Sequence, residues 1–204
     1  DLARELFVHD PQKATDLLQI ASDSAKKLGY EKGVQEGRIF LAWTSWSDNI
    51  KETLNIFSEV HDWAIKNGEV DFIGDVKSSL GILFWSFGDY DRGLAYCNEA
   101  LQILRKNGQW YKLVWVLTTL GNFYYDLEQF QESIKAFKEA QELLEQHGEI
   151  TSLARCYNGI GNNLFKLEKH DEALKLQQRA LALAIESENK IMESRILNDL
   201  GLYN

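Results

Sequence analysis

An all-α solenoid built from antiparallel helix hairpins is the fold class this sequence predicts, and three in-phase ladders of residues predict it. Leu80-Gly81, Leu120-Gly121, Ile160-Gly161 and Leu200-Gly201 recur every 40 residues; Ala100, Ala140 and Ala180 recur at the same interval, as do Gly68, Gly108 and Gly148. A fixed period of this kind is the signature of stacked supersecondary units, each burying its apolar face only against its neighbours. Strand signals are missing, and the single proline, Pro11, suits long helices.

Apolar residues fall at helical spacing in two blocks per period, separated by short polar breaks such as Phe87-Gly88-Asp89 and Leu127-Glu128-Gln129. The first helix is expected at 12–28, where Ala14, Leu18 and Ala21 keep a small-large-small order, and the second at 31–46, around Phe40-Leu41. A third, 50–67, repeats that order as Thr53, Phe57 and Val60 and stops at Gly68. Helices at 69–87 and 90–107 carry Leu80-Gly81 and then Gly93, Cys97 and Ala100; the second ends in Arg105-Lys106-Asn107 before Gly108, a basic last turn followed by a left-handed glycine. The pattern recurs in 109–127 and 130–147, closed by Gly148, and in 149–167 and 170–187. A last helix is expected at 190–204, containing Leu200-Gly201. The whole chain reads as one repeat domain with units at about 1–29 (partial), 30–68, 69–108, 109–148, 149–188 and 189–204 (partial). The incomplete ends make it read as a piece of a longer protein.

The order Leu120-Gly121-x2-Tyr124 followed by Ser133-x3-Phe137-x2-Ala140, repeated with changes in the units before and after, resembles the tetratricopeptide repeat (TPR) family, whose pattern is L-G-x2-Y and then A-x3-F. Small residues at the close-approach points let the two helices of a hairpin pack, and large ones fill the seam between hairpins. The period is 40 instead of the common 34, and the closing proline is missing; this longer form is similar to repeats of kinesin light chains, of G-protein-signalling modulators of spindle orientation and of bacterial regulators and sensor kinases. HEAT and armadillo arrays have a similar period without this residue order.

The resemblance implies a right-handed superhelix, about ten helices long, with a concave groove lined by the first helix of each hairpin. It assigns to that groove Gln35, Arg38, Ala42, Ser45 and Trp46; Asp75, Ser78, Ile82, Trp85 and Ser86; Trp115, Thr118, Asn122, Tyr125 and Asp126; Arg155, Asn158, Asn162, Phe165 and Lys166; and Arg195, Asn198 and Leu202. Asn122, Asn158, Asn162 and Asn198 would form an amide ladder able to pair with an extended backbone. Arg155 and Arg195 are placed to hold carboxylates, and Trp85, Tyr125 and Phe165 share one register as an aromatic stripe. The set carries Arg38, Arg155, Lys166 and Arg195 against Asp75 and Asp126, a basic balance on a chain of net charge −9, which would steer an acidic ligand inward.

The expected function is therefore a protein-protein interaction module that binds an extended, acidic peptide segment of another protein. The alternatives are a sensory or regulatory region of a multidomain bacterial signalling protein, including a signalling-peptide receptor, and an assembly scaffold that self-associates through open solenoid ends. The acidic balance argues against nucleic acid. No apolar run approaches a membrane span, and Cys97 and Cys156 show neither disulfide nor zinc spacing, so a cytoplasmic protein without cofactor or metal is expected. No catalytic residue is expected: His9, His61, His147 and His170 read as turn residues, and Gly159-Ile160-Gly161-Asn162 lies inside a helix with no strand before it.

Overall fold

The computed structural model describes residues 11–46, 49–150 and 152–202. Among them run ten helices: α1 (Pro11–Lys27), α2 (Glu31–Ser45), α3 (Ile50–Asn67), α4 (Val70–Ser86), α5 (Tyr90–Asn107), α6 (Trp110–Asp126), α7 (Phe130–His147), α8 (Leu153–Lys166), α9 (His170–Glu186) and α10 (Lys190–Leu202). The described residues contain no strand. The side chains of Pro11, Gln12, Ala14, Ser45 and Leu202 lie outside the described set, as do His9 and residues 203–204 of the expected last helix.

Each helix end follows from local chemistry. Asn49 caps α3 by accepting from the Glu52 amide at 3.3 Å while its side-chain Nδ2 donates to the Glu52 carboxylate at 2.7 Å. Asp89 and Asn189 accept from the Arg92 and Met192 amides at the starts of α5 and α10. Gly68, Gly108 and Gly148 close α3, α5 and α7 with φ of 69°, 68° and 66°. The start of α8 differs from expectation: it begins at Leu153 instead of 149, because the Glu149 carboxylate takes the Ser152 amide at 3.1 Å and holds the chain in a turn. His61 also departs from the expected turn setting and lies inside α3.

The chain divides into two compact units that meet within α4, one ending at Leu80 and the other starting at Gly81. In the first, Trp43 packs on Phe57 at 5.7 Å and Trp63 on Phe72 at 5.3 Å. The Thr53 hydroxyl donates to the Ala42 carbonyl at 3.3 Å and ties α3 to α2. In the second, one buried cluster runs from Cys97 to Ile196.

The sequence ladders are packing positions. A methyl added at Gly121 would lie 2.6 Å from the Phe137 ring, and one at Gly161 would lie 3.0 Å from Gln177 Nε2; at Gly81 it would strike the Cys97 sulfur. The glycine of each hinge thus admits the residue 16 places later on its partner helix. Ala100, Ala140 and Ala180 are fully buried beside those contacts. Burial also pushes the Cys97 and Cys156 thiols up to about 12, as expected of core residues in this setting.

Candidate ligand cavity between α6, α8 and α10

The second unit brings six of the ten expected binding residues together. Asn122 and Tyr125 from α6, Arg155, Asn158 and Asn162 from α8, and Arg195 from α10 line a cavity of about 340 Å³, with Phe137, Gly159, Asn163 and Met192 completing its wall. The hydrogen-bonding side chains come from one face of each helix because residues three and four apart share a helix face.

The cavity is cationic at one end. Arg155 and Arg195 occupy the same register in successive repeats, and neither makes an ion pair among the described residues. Arg155 keeps contact with solvent along its side chain, yet the cavity walls strip water from around it. That desolvation first, and the like charge of Arg195 second, lower its pKa from the ordinary arginine value.

At the centre the amides are arranged otherwise than a ladder facing a ligand. Asn158 Nδ2 donates to Asp199 Oδ2 at 2.9 Å, and Asn162 Nδ2 donates to the same oxygen at 3.1 Å. Gln177 Nε2, from α9, donates in turn to Asn162 Oδ1. Asn158 is only 5 % exposed, and its Oδ1 is buried without a hydrogen-bond partner. The register explains this burial: Ser78 and Thr118 occupy the same repeat position and are buried too. Asn198 shares the register but is exposed on α10, outside the cavity wall.

Tyr125 is half-buried with its ring edge-on to Phe130 at 5.9 Å. Its phenol is raised above the ordinary tyrosine value by burial, then by the negative charges of Asp199 and Asp126. Trp85 and Phe165, the other two members of the expected stripe, lie outside the cavity wall. Trp85 packs on Phe123 at 5.5 Å and donates its indole N–H to Asp126 at 2.8 Å; Phe165 packs on His170 at 4.8 Å. Lys166 is exposed at the end of α8. Tyr125 and Phe165 therefore brace the turns that follow α6 and α8, and Trp85 ties the end of α4 to α6.

Sequence reasoning missed Asp199, Gln177 and Met192. The one available signal was Asp199 itself: the same register holds the small residues Ser79, Thr119 and Gly159 in earlier repeats. Gln177 likewise stands where the pattern has Phe57 and Phe137. The described residues contain no cluster of three or more potential metal ligands, and no helix among them is long and apolar enough to cross a membrane.

Two tetratricopeptide repeat family models match the chain, one over residues 73–146 and one over 153–188, together more than half of it. No curated protein matches it significantly by sequence. Among solved structures, a Rap protein complexed with competence and sporulation factor superposes with a TM-score of 0.81 at 17% identity, over 95% of this chain and 55% of that one. BtubC from P. vanneervenii gives 0.68 at 19% identity, over 93% and 84% of the two chains. A signal-transduction ATPase with numerous domains and a tetratricopeptide repeat sensor, from Pyrococcus horikoshii, gives 0.72 at 15% identity, over 95% and 34%. At these identities the structural likenesses establish the helical-repeat fold.

Proposed function

Since the chain belongs to the tetratricopeptide repeat family, a family of interaction and regulatory modules, we propose that its second unit holds an extended acidic segment of another protein against α6, α8 and α10. The observation that carries this reading is the pair Arg155 and Arg195 on the cavity wall, neither of them in an ion pair among the described residues, with the Glu149 charge only a weak influence on Arg155. The two guanidiniums outnumber the acidic groups on the cavity wall, which has none, while Asp199 and Glu149 act from beyond it. An anion between the two arginines favours both charged forms, against the burial and, second, the Arg195 charge that lower Arg155.

The partner is a protein segment by the chemistry of the remaining wall. Asn122 offers an exposed amide with both donor and acceptor, and Tyr125 and Met192 supply apolar surface beside it. The chain's net charge of −9 lies elsewhere, so an acidic ligand is repelled by most of the surface and accepted here.

The test is a calorimetric titration of a short synthetic peptide alternating Glu with Ala against the wild type and against Arg155→Gln with Arg195→Gln. Both arginines are solvent-accessible, so the variant is expected to keep its circular dichroism and melting temperature. Affinity is expected to fall by about tenfold or more, and to fall with added salt in the wild type only. Equal affinities would overturn the reading.

A second reading has its own support. The Pyrococcus horikoshii protein carries its repeats as a sensor, and this chain corresponds to 34% of that one. The peptide site would then be the input of a longer regulator, with the ligand captured in the same cavity.

A further inference from the structure

Arg195 and Asp199 stand four residues apart on α10, a spacing at which opposite charges ordinarily meet. Here they do not form an ion pair. Two features keep them separate. Arginine precedes aspartate, the less favourable order for such a pair in a helix. The aspartate is also turned to α8, where Asn158 and Asn162 both donate to its Oδ2, and Gln177 fixes Asn162 from behind. The cavity wall thus carries two cations, and an anion, the half-buried Asp199, stands just beyond it, hydrogen-bonded to two of the lining amides.

The network has one unmet acceptor. Asn158 lines the cavity, is 5 % exposed, and its Oδ1 receives no hydrogen bond. A buried acceptor without a donor is costly, and the half-buried Asp199 carboxylate beside it favours a ligand that brings N–H groups to this point. The Asp199 charge, felt as far as the Tyr125 phenol, acts in the same sense.

We infer that the cavity recognises a zwitterion, namely the free amino terminus of a peptide that begins with an acidic residue: its side-chain carboxylate lies between Arg155 and Arg195, and its ammonium faces Asp199 and the Asn158 amide. This rests on the cavity being an acidic-peptide site. The volume of about 340 Å³ is at the small end for ligand pockets, which suits the end of a chain better than a long stretch of one. An ammonium supplies three donors and a positive charge to the Asp199 carboxylate, and a backbone amide supplies one donor and no charge. A free acidic amino acid carries the same two groups.

The experiment is a set of titrations by calorimetry with the peptide Glu-Ala-Glu-Ala-amide, its N-acetylated form and free L-glutamate, each against the wild type and Asp199→Asn. The inference expects the free-amine peptide to bind about tenfold or more tightly than the acetylated one, and expects Asp199→Asn to erase that difference, since asparagine keeps an oxygen for Asn158 and Asn162 but loses the charge. Equal binding of the two peptides to the wild type overturns the inference and leaves the acidic-peptide reading standing. Binding of neither overturns both. Free L-glutamate binding as tightly as the free-amine peptide upholds the zwitterion and names an amino acid as its source, at the expense of the peptide reading. If Asp199→Asn does not fold, the wild-type comparison of the two peptides still decides.

Discussion

Phe137 sits between two glycines: a methyl at either Gly121 or Gly159 would approach its ring to 2.6 Å. Neither neighbour can yield easily, since Phe137 is 1 % exposed within the core. Gly121→Ala is therefore expected to destabilise the protein by roughly 1–3 kcal/mol through overpacking, read as a lower urea midpoint with an unchanged slope; an unchanged midpoint would show that the ring gives way freely. Residues of this kind were legible in the sequence because a steric constraint repeats wherever the contact repeats. Asp199 was not legible for the opposite reason. Its partner Asn158 lies 41 residues away, one period plus one, and the contact occurs in a single repeat. Asn158 itself was placed by register on the open groove wall, whereas that register is buried in α4, α6 and α8. A one-position rotation on a helix is too small for spacing alone to resolve.

At the scale of elements, the helix ends show where the repeat has drifted from its own rule. Gly68, Gly108 and Gly148 close three successive second helices in the left-handed region, but the equivalent place after α9 is Glu188 with φ of 54°. Glu128 and Glu168 do the same after α6 and α8, at 59° and 62°, where Gly88 stands after α4. A side chain in that region costs about 1 kcal/mol or more, partly offset by the greater freedom of glycine in the unfolded chain. The triple variant Glu128→Gly, Glu168→Gly and Glu188→Gly is expected to gain about 1–2 kcal/mol, since distant sites add. Chemical denaturation checks this, and a midpoint at or below the wild type would contradict it. The sequence located most helices to within a residue or two because these glycines and the polar breaks punctuate it. It missed the late start of α8, which depends on a side chain, Glu149, competing for a backbone amide.

For the molecule as a whole, the 40-residue period accounts for the core of each unit, and departures from the period account for the candidate site. Gln177 replaces a core phenylalanine, Asp199 replaces a small seam residue, and Arg155 and Arg195 repeat in adjacent hairpins; all four converge on the second unit. A repeat protein gains specificity in this way, by holding its packing positions and varying the faces between them. The most direct test is amide hydrogen exchange of the whole chain with and without the Glu-Ala peptide at saturating concentration. Added protection is expected in α6, α8 and α10, with α7 and α9 changed little. Protection centred on α7 and α9 instead, or no change under conditions where the peptide is bound, would contradict that expectation.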